Sequence, residues 1–183
     1  MSDDSAKVMV LLVPGIWNSG PEHWQSYWER ERGDCVRVEQ EDWEAPRRAE
    51  WVASLGAAIA SAPGEVVLAA HSLGCATVAH WAAGADPSLR AKVRGALLVA
   101  PADVDRPGFP APSFAPMPMT PLPFRTTLVA STNDEWLTIA RAAELAAAWE
   151  SRLVNAGALG HINSASELGM WPLGQQLLAE LAG

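Results

Sequence analysis

Glu65 to Gly84 reads EVVLAAHSLGCATVAHWAAG. Val66, Val67 and Leu68 lead an apolar, β-branched run into Ala69 and Ala70, and an Ala-rich stretch from Cys75 to Ala83 follows a glycine. The order is that of a buried strand, a very tight turn and a helix. Ser72 stands at the turn in Ala70-His71-Ser72-Leu73-Gly74, a nucleophile elbow with alanine where a first glycine is usual. A strand that reverses into a helix within one residue brings two backbones together, so positions two before and two after the serine must be small. Ala70 and Gly74 satisfy that demand. The helix N-terminus then presents free N–H groups and partial positive charge to the same place, which suits a developing oxyanion.

Outward from this stretch, the chain alternates strands with helices. Lys7 to Val13 is a continuous apolar run stopped by Pro14-Gly15, and Glu22 to Glu31 is a helix with Trp24, Tyr27 and Trp28 near one face. Cys35 to Val38 reads as a strand, and Arg48 to Ala60 as a helix with Trp51, Leu55 and Ile59 at helical spacing. Strands are expected at Val93 to Ala100, Thr126 to Ala130 and Arg152 to Asn155, with helices at Leu137 to Glu150 and from Pro172 to Leu181. Between Asp103 and Phe124 seven prolines exclude a regular helix or a central strand. The expected fold is α/β, a three-layer α/β/α arrangement around a mostly parallel six-stranded sheet. At 183 residues one domain is expected over the whole chain, with no internal repeat.

Composition narrows the function classes. A net charge of −8 argues against nucleic-acid binding, which needs a basic face. The longest apolar runs fall well short of a membrane span, and the acidic start MSDDSAK has no apolar signal core. Cys35 and Cys75 form neither a CxxC pair nor a metal cluster and are expected as buried, reduced residues. A cytoplasmic protein with no metal, no cofactor, no nucleic-acid partner and no membrane partner is expected; oligomeric state is not legible.

Ligands of parallel α/β sheets bind beyond the carboxyl ends of the strands, so the partners of Ser72 should lie there. A serine hydroxyl becomes nucleophilic when an imidazole takes its proton and a carboxylate holds the imidazole. His71 points away from Ser72, and His80 lies two turns down the elbow helix. His23, placed inside the first helix, breaks the order serine, acid, histidine and takes a structural or substrate-side role. His161 remains, in the glycine-bearing stretch GALGHIN after the last strand, where a flexible loop could swing it over the sheet edge. Asp134 and Asp103 both follow strands and both fit as the acid; Asp134 lies on the strand nearer the histidine loop. The oxyanion donors are expected from the backbone of Leu73 and of the loop after the first strand, Ile16 or Trp17. That loop, PGIWNSG, lacks the GxGxxG spacing and the GK[ST] ending of a phosphate loop. Trp17, His23, Trp136 and Trp171 are candidates for a pocket, and the walls are expected from the loop around Trp17 and the Pro-rich segment.

PGIWNSGPEHWQSYWE, AHSLGC, ASTND and GHINSASELGMWPLG together resemble, in order, the serine hydrolase family of retinoblastoma-binding protein nine and the bacterial YdeN-like proteins. The resemblance implies a small α/β-hydrolase without a cap domain, with Ser72, Asp134 and His161 catalytic, and so favours Asp134 over Asp103. Two departures stand out. Glu135 follows the acid where the family often has proline, and the LxCxE segment that gives the mammalian member its name is absent. The resemblance fixes no substrate; the expected activity is hydrolysis of a small ester through an acyl-enzyme, with an amide or peptide hydrolase of the same mechanism, or a non-catalytic binding homologue, as alternatives.

Overall fold

Six strands, all parallel, run in the order β2-β1-β3-β4-β5-β6 in the computed structural model, which describes residues 8–183. The strands are β1 Met9–Val13, β2 Cys35–Arg37, β3 Val66–His71, β4 Val93–Val99, β5 Arg125–Ala130 and β6 Arg152–Asn155. The helices are α1 Trp24–Glu31, α2 Arg48–Ser61, α3 Leu73–Gly84, α4 Pro87–Arg90, α5 Ile139–Trp149 and α6 Pro172–Ala182. The expected sheet was mostly parallel; every neighbouring pair is parallel, because each connection carries the chain back across a face before the next strand. Lys7, expected to open the first strand, and the acidic start lie outside the described residues.

Strand alternation divides the core into two layers. Leu11, Val13, Leu68, Ala70 and Leu98 face α2, α3 and α5, where Trp51, Leu55, Ile59, Leu145 and Trp149 are buried. Val10, Leu12, Val67, Ala69 and Val99 face the other way, onto Trp24 and Trp28 of α1 and Leu177, Leu178 and Leu181 of α6. The inner strands β1 and β3 read as continuous apolar runs because both faces are covered. The Pro-rich segment forms no strand; it has one 3-10 turn at Pro112–Phe114 and buries Phe109, Phe114 and Met117 against the first layer.

Local chemistry explains where elements begin. Helix α1 starts at Trp24, two residues later than expected, because His23 is its N-cap and accepts from the Gln25 N–H. Thr138 caps α5 in the same way, moving its start to Ile139. The short α4 was not expected, although Asp86 followed by Pro87 is a cap and a first-turn proline. Between β3 and α3 only Ser72 intervenes.

The topology also fixes where a site can form. From β1 the chain goes outward to β2, then returns across β1 to β3, so the loops after β1 and β3 leave in opposite directions. The crevice between them is the topological switch point of the sheet. Ser72 and the loop from Pro14 to Gly20 both border it.

Candidate active site

Ser72 has φ 55° and ψ −121°, a conformation that costs an L-residue strain and is held here by the backbones packed beside it. A Cβ on Gly74 would lie 2.1 Å from the Val13 carbonyl oxygen and 2.9 Å from that of Pro14, so only glycine lets α3 start against the end of β1. The Ser72 N–H donates to Val99 O on β4 at 3.0 Å. The hydroxyl is thereby lifted off the sheet at a fixed place.

Ser72 Oγ lies 2.8 Å from His161 Nε2. His161 Nδ1 is 2.9 Å from each carboxylate oxygen of Asp134, whose side chain is 0% exposed. The Trp136 N–H donates to the same carboxylate at 2.8 Å. Asp103, the other acid considered, instead pairs with Arg141 at 3.3 Å and does not touch His161.

The histidine loop was expected to be flexible, and it is clamped. Ser131 Oγ and Asn133 Oδ1 accept from the N–H groups of Leu159 and Gly160 at 2.9 and 2.7 Å. The Trp24 indole donates to Ile162 O at 3.0 Å, and Ile162 itself is fully buried. The His71 ring reaches the His161 carbonyl at 2.8 Å. Four donors and acceptors from three different elements therefore bracket the imidazole, so it is held in place without a swing.

His71 does point away from Ser72, but it is not idle. Its Nε2 faces a carbonyl and must carry a proton, which leaves Nδ1 to accept from His23 Nε2 at 3.3 Å. His23 Nδ1 in turn accepts from the Gln25 N–H at 3.1 Å, so both tautomers are fixed and both rings are neutral. Burial, then Arg37 and His161, pushes the His23 imidazole down to about 3. Burial likewise holds His71 well below its ordinary value, with His23 and His161 adding to the effect. Strand alternation carries the signal for His71: it continues the face of Val67 and Ala69, toward α1 and His23.

The amides of the loop after β1 are engaged unequally. The Trp17 N–H is spent on Trp43 O at 2.8 Å, and Trp17 and Asn18 both take positive φ, 66° and 64°. Arg37 pins the loop from beneath, donating to Asn18 Oδ1 and Ser19 O at 2.8 and 2.9 Å. A Cβ on Gly15 would stand 2.9 Å from Ser72 Cβ and 3.1 Å from Leu73 N, so the chain entering Ile16 runs directly beside the Leu73 amide. Neither the Ile16 nor the Leu73 N–H donates to any group among the described residues.

A cavity of about 340 Å³ opens over Ser72, lined among others by Ile16, Trp17, His23, Phe109, Trp136 and Ser164. Of the four residues considered for a pocket, Trp17, Trp136 and His23 border this cavity. Trp171 does not: it is buried against Trp24 and Trp28 under the opposite layer, because its αL backbone turns the ring inward ahead of α6. The Pro-rich segment contributes Phe109, and the wall from Asn163 to Ala165 was not foreseen.

The sequence model of the serine hydrolase family matches residues 10–180. The chain belongs to this family. Like other members of the serine hydrolase family, it is a hydrolase. The crystal structure of a YdeN-like hydrolase from Pectobacterium atrosepticum is 32% identical, with a TM-score of 0.86 over 96% of this chain and 91% of that one. The ydeN gene product of B. subtilis, 14% identical, shares the fold with a TM-score of 0.75 over 95% of this chain and 98% of that one. A thermophilic esterase from Thermogutta terrifontis, 15% identical, shares it with a TM-score of 0.68 over 96% and 91%. No curated protein matches the chain. Among the described residues of this serine hydrolase no cluster of metal-ligating side chains occurs, and no helix is long and apolar enough to cross a membrane.

Proposed function

We propose that the protein hydrolyses small carboxylic esters through an acyl-enzyme, with Ser72 as nucleophile, His161 as general base and acid, and Asp134 as the carboxylate that orients the imidazole. The observation that carries this reading is the continuous contact from Asp134 through both nitrogens of His161 to Ser72 Oγ, with 2.9 and 2.8 Å steps.

Ser72 Oγ attacks the acyl carbon while its proton passes to His161 Nε2. The resulting imidazolium keeps its Nδ1–H on Asp134, and the buried carboxylate offsets the new charge. The carbonyl oxygen becomes an oxyanion held by the N–H groups of Leu73 and Ile16, neither of which donates elsewhere among the described residues. Collapse expels the alcohol, which takes the proton from His161. Water then enters, gives its proton to His161 and attacks the acyl carbon; a second collapse frees the acid and returns the proton to Ser72.

Ester rather than amide cleavage is favoured by the esterases among proteins of the same fold. A small-molecule substrate, with neither nucleic acid nor membrane as a partner, and a reducing cytoplasmic setting complete the proposal; two free, buried cysteines are consistent with that setting. A fluorophosphonate probe tests the chemistry directly. Labelling of the parent and its loss in Ser72→Ala is expected. Folded parent protein that takes no label, and turns over no p-nitrophenyl ester, removes the proposal.

A further inference from the structure

The floor and walls of the cavity over Ser72 combine two features that bear on what can enter. The first is the absence of ionic side chains from its lining: among the described residues no Asp, Glu, Lys or Arg borders it, and its polar groups are Asn18, Ser72, Asn163, Ser164 and the histidines. Histidines could have supplied charge, but His23 and His71 hold one another in the neutral form. His71 Nε2–H is used on the His161 carbonyl, and His23 Nε2–H is used on His71. Arg37, which bonds the lining residue Asn18 from outside, is committed to Asn18, Ser19, Ser26 and Glu29. The second feature is aromatic surface. Phe109 stands edge-on to Trp136, with centroids 6.0 Å apart, and Trp17 is 59% exposed at the rim. Outside the cavity wall Arg106 lies over the Trp136 ring, 5.4 Å from its centroid, so one cation already occupies a face of that indole.

An ion entering such a space gives up water and gains no counter-ion, whereas a flat or branched apolar group gains contact with indole and phenyl faces. At about 340 Å³ the cavity lies near the lower end for small-molecule sites. We infer that the substrate is a compact ester, uncharged on both sides of the scissile bond, with an apolar and preferably aromatic body against Trp17, Phe109 and Trp136. This deepens the proposed esterase and rests on it for turnover, but not for binding.

Two matched pairs test it. On the acyl side, p-nitrophenyl benzoate is compared with the mono-p-nitrophenyl ester of isophthalic acid, which adds one meta carboxylate. On the alcohol side, methyl 4-acetoxybenzoate is compared with 4-acetoxybenzoate. In each pair kcat/KM, divided by the hydroxide rate of the same ester, should favour the neutral member by roughly 100-fold or more. Binding is read separately in Ser72→Ala by quenching of tryptophan fluorescence, since Trp17 and Trp136 line the site. There the neutral member of each pair should bind at least about tenfold more tightly. Carboxylates that bind and turn over within threefold of the neutral esters overturn the inference. Tight, charge-selective binding without turnover in the parent retains it and removes the hydrolase mechanism instead.

Discussion

Gly15→Ala separates the oxyanion site from the rest of the machinery. Gly15 does not occupy the left-handed region, so an alanine meets no backbone penalty there. The added Cβ would stand 2.9 Å from Ser72 Cβ, 3.1 Å from His71 O and 3.1 Å from Leu73 N. Two of these three neighbours are backbone atoms and the third is the first side-chain atom of a strained residue, so relief must come from movement of the loop after β1. That movement carries the Ile16 amide away from Leu73. Overpacking of this kind costs about 1–3 kcal/mol of stability, or a fall in Tm of roughly 2–12 °C for a chain of this size. Loss of one oxyanion donor costs about 100- to 1,000-fold in kcat, equivalent to about 3–4 kcal/mol in the transition state. The expected variant is therefore folded at 25 °C and almost inactive. Thermal unfolding by circular dichroism measures the first effect, and steady-state hydrolysis of p-nitrophenyl acetate the second. Gly33→Ala serves as the control, since a Cβ there meets nothing within 4 Å. A Gly15→Ala protein with kcat within threefold of the parent would refute the assignment of the Ile16 and Leu73 amides as donors.

Asp134→Asn should lower kcat by about 1,000- to 10,000-fold, through loss of the imidazole's orientation and of charge compensation, whereas Asp103→Asn, which only loosens the pair with Arg141, should stay within about threefold; equal losses in steady-state assays would refute the distinction. His71→Leu removes the donor that holds the His161 carbonyl and should lower kcat about tenfold with KM unchanged, the misplacement of a catalytic group being costly, while His71→Gln, which can still donate, should recover most of it; a loss shared by KM, or no rescue, counts against positioning. The depressed pKa values of His23 and His71 make the unfolded chain bind more protons below its own histidine pKa near 6.5. Stability is then fully present above that pH and falls as pH drops below about 6.5, for His23 toward about 3 at up to about 1.4 kcal/mol per pH unit, with His71 adding in the same direction. His23→Asn keeps a cap on α1 and removes one of the two rings, so urea midpoints measured from pH 6.5 to 4.5 should fall less steeply than those of the parent; an unchanged slope refutes the linkage.

The sequence by itself determined the elbow and the alternation. An apolar strand, a serine between small residues and an Ala-rich helix admit few backbones, since Ala70 and Gly74 matter only where two chain segments nearly touch. The continuous apolar character of β1, β3 and β4 likewise required a sheet covered on both faces. Loops carry no such periodic constraint, so their outcome depended on contacts between distant residues. Arg141 engages Asp103 and leaves Asp134 to His161; Trp43 takes the Trp17 amide and leaves that of Ile16 free; Trp171 turns into the core and away from the pocket. The histidine loop, rich in glycine and mobile by composition, is fixed because Ser131, Asn133, Trp24 and His71 reach it from across the sheet. Local chemistry is written in neighbouring residues, but which of two eligible groups is already engaged depends on the three-dimensional packing that brings its competitor within hydrogen-bond reach.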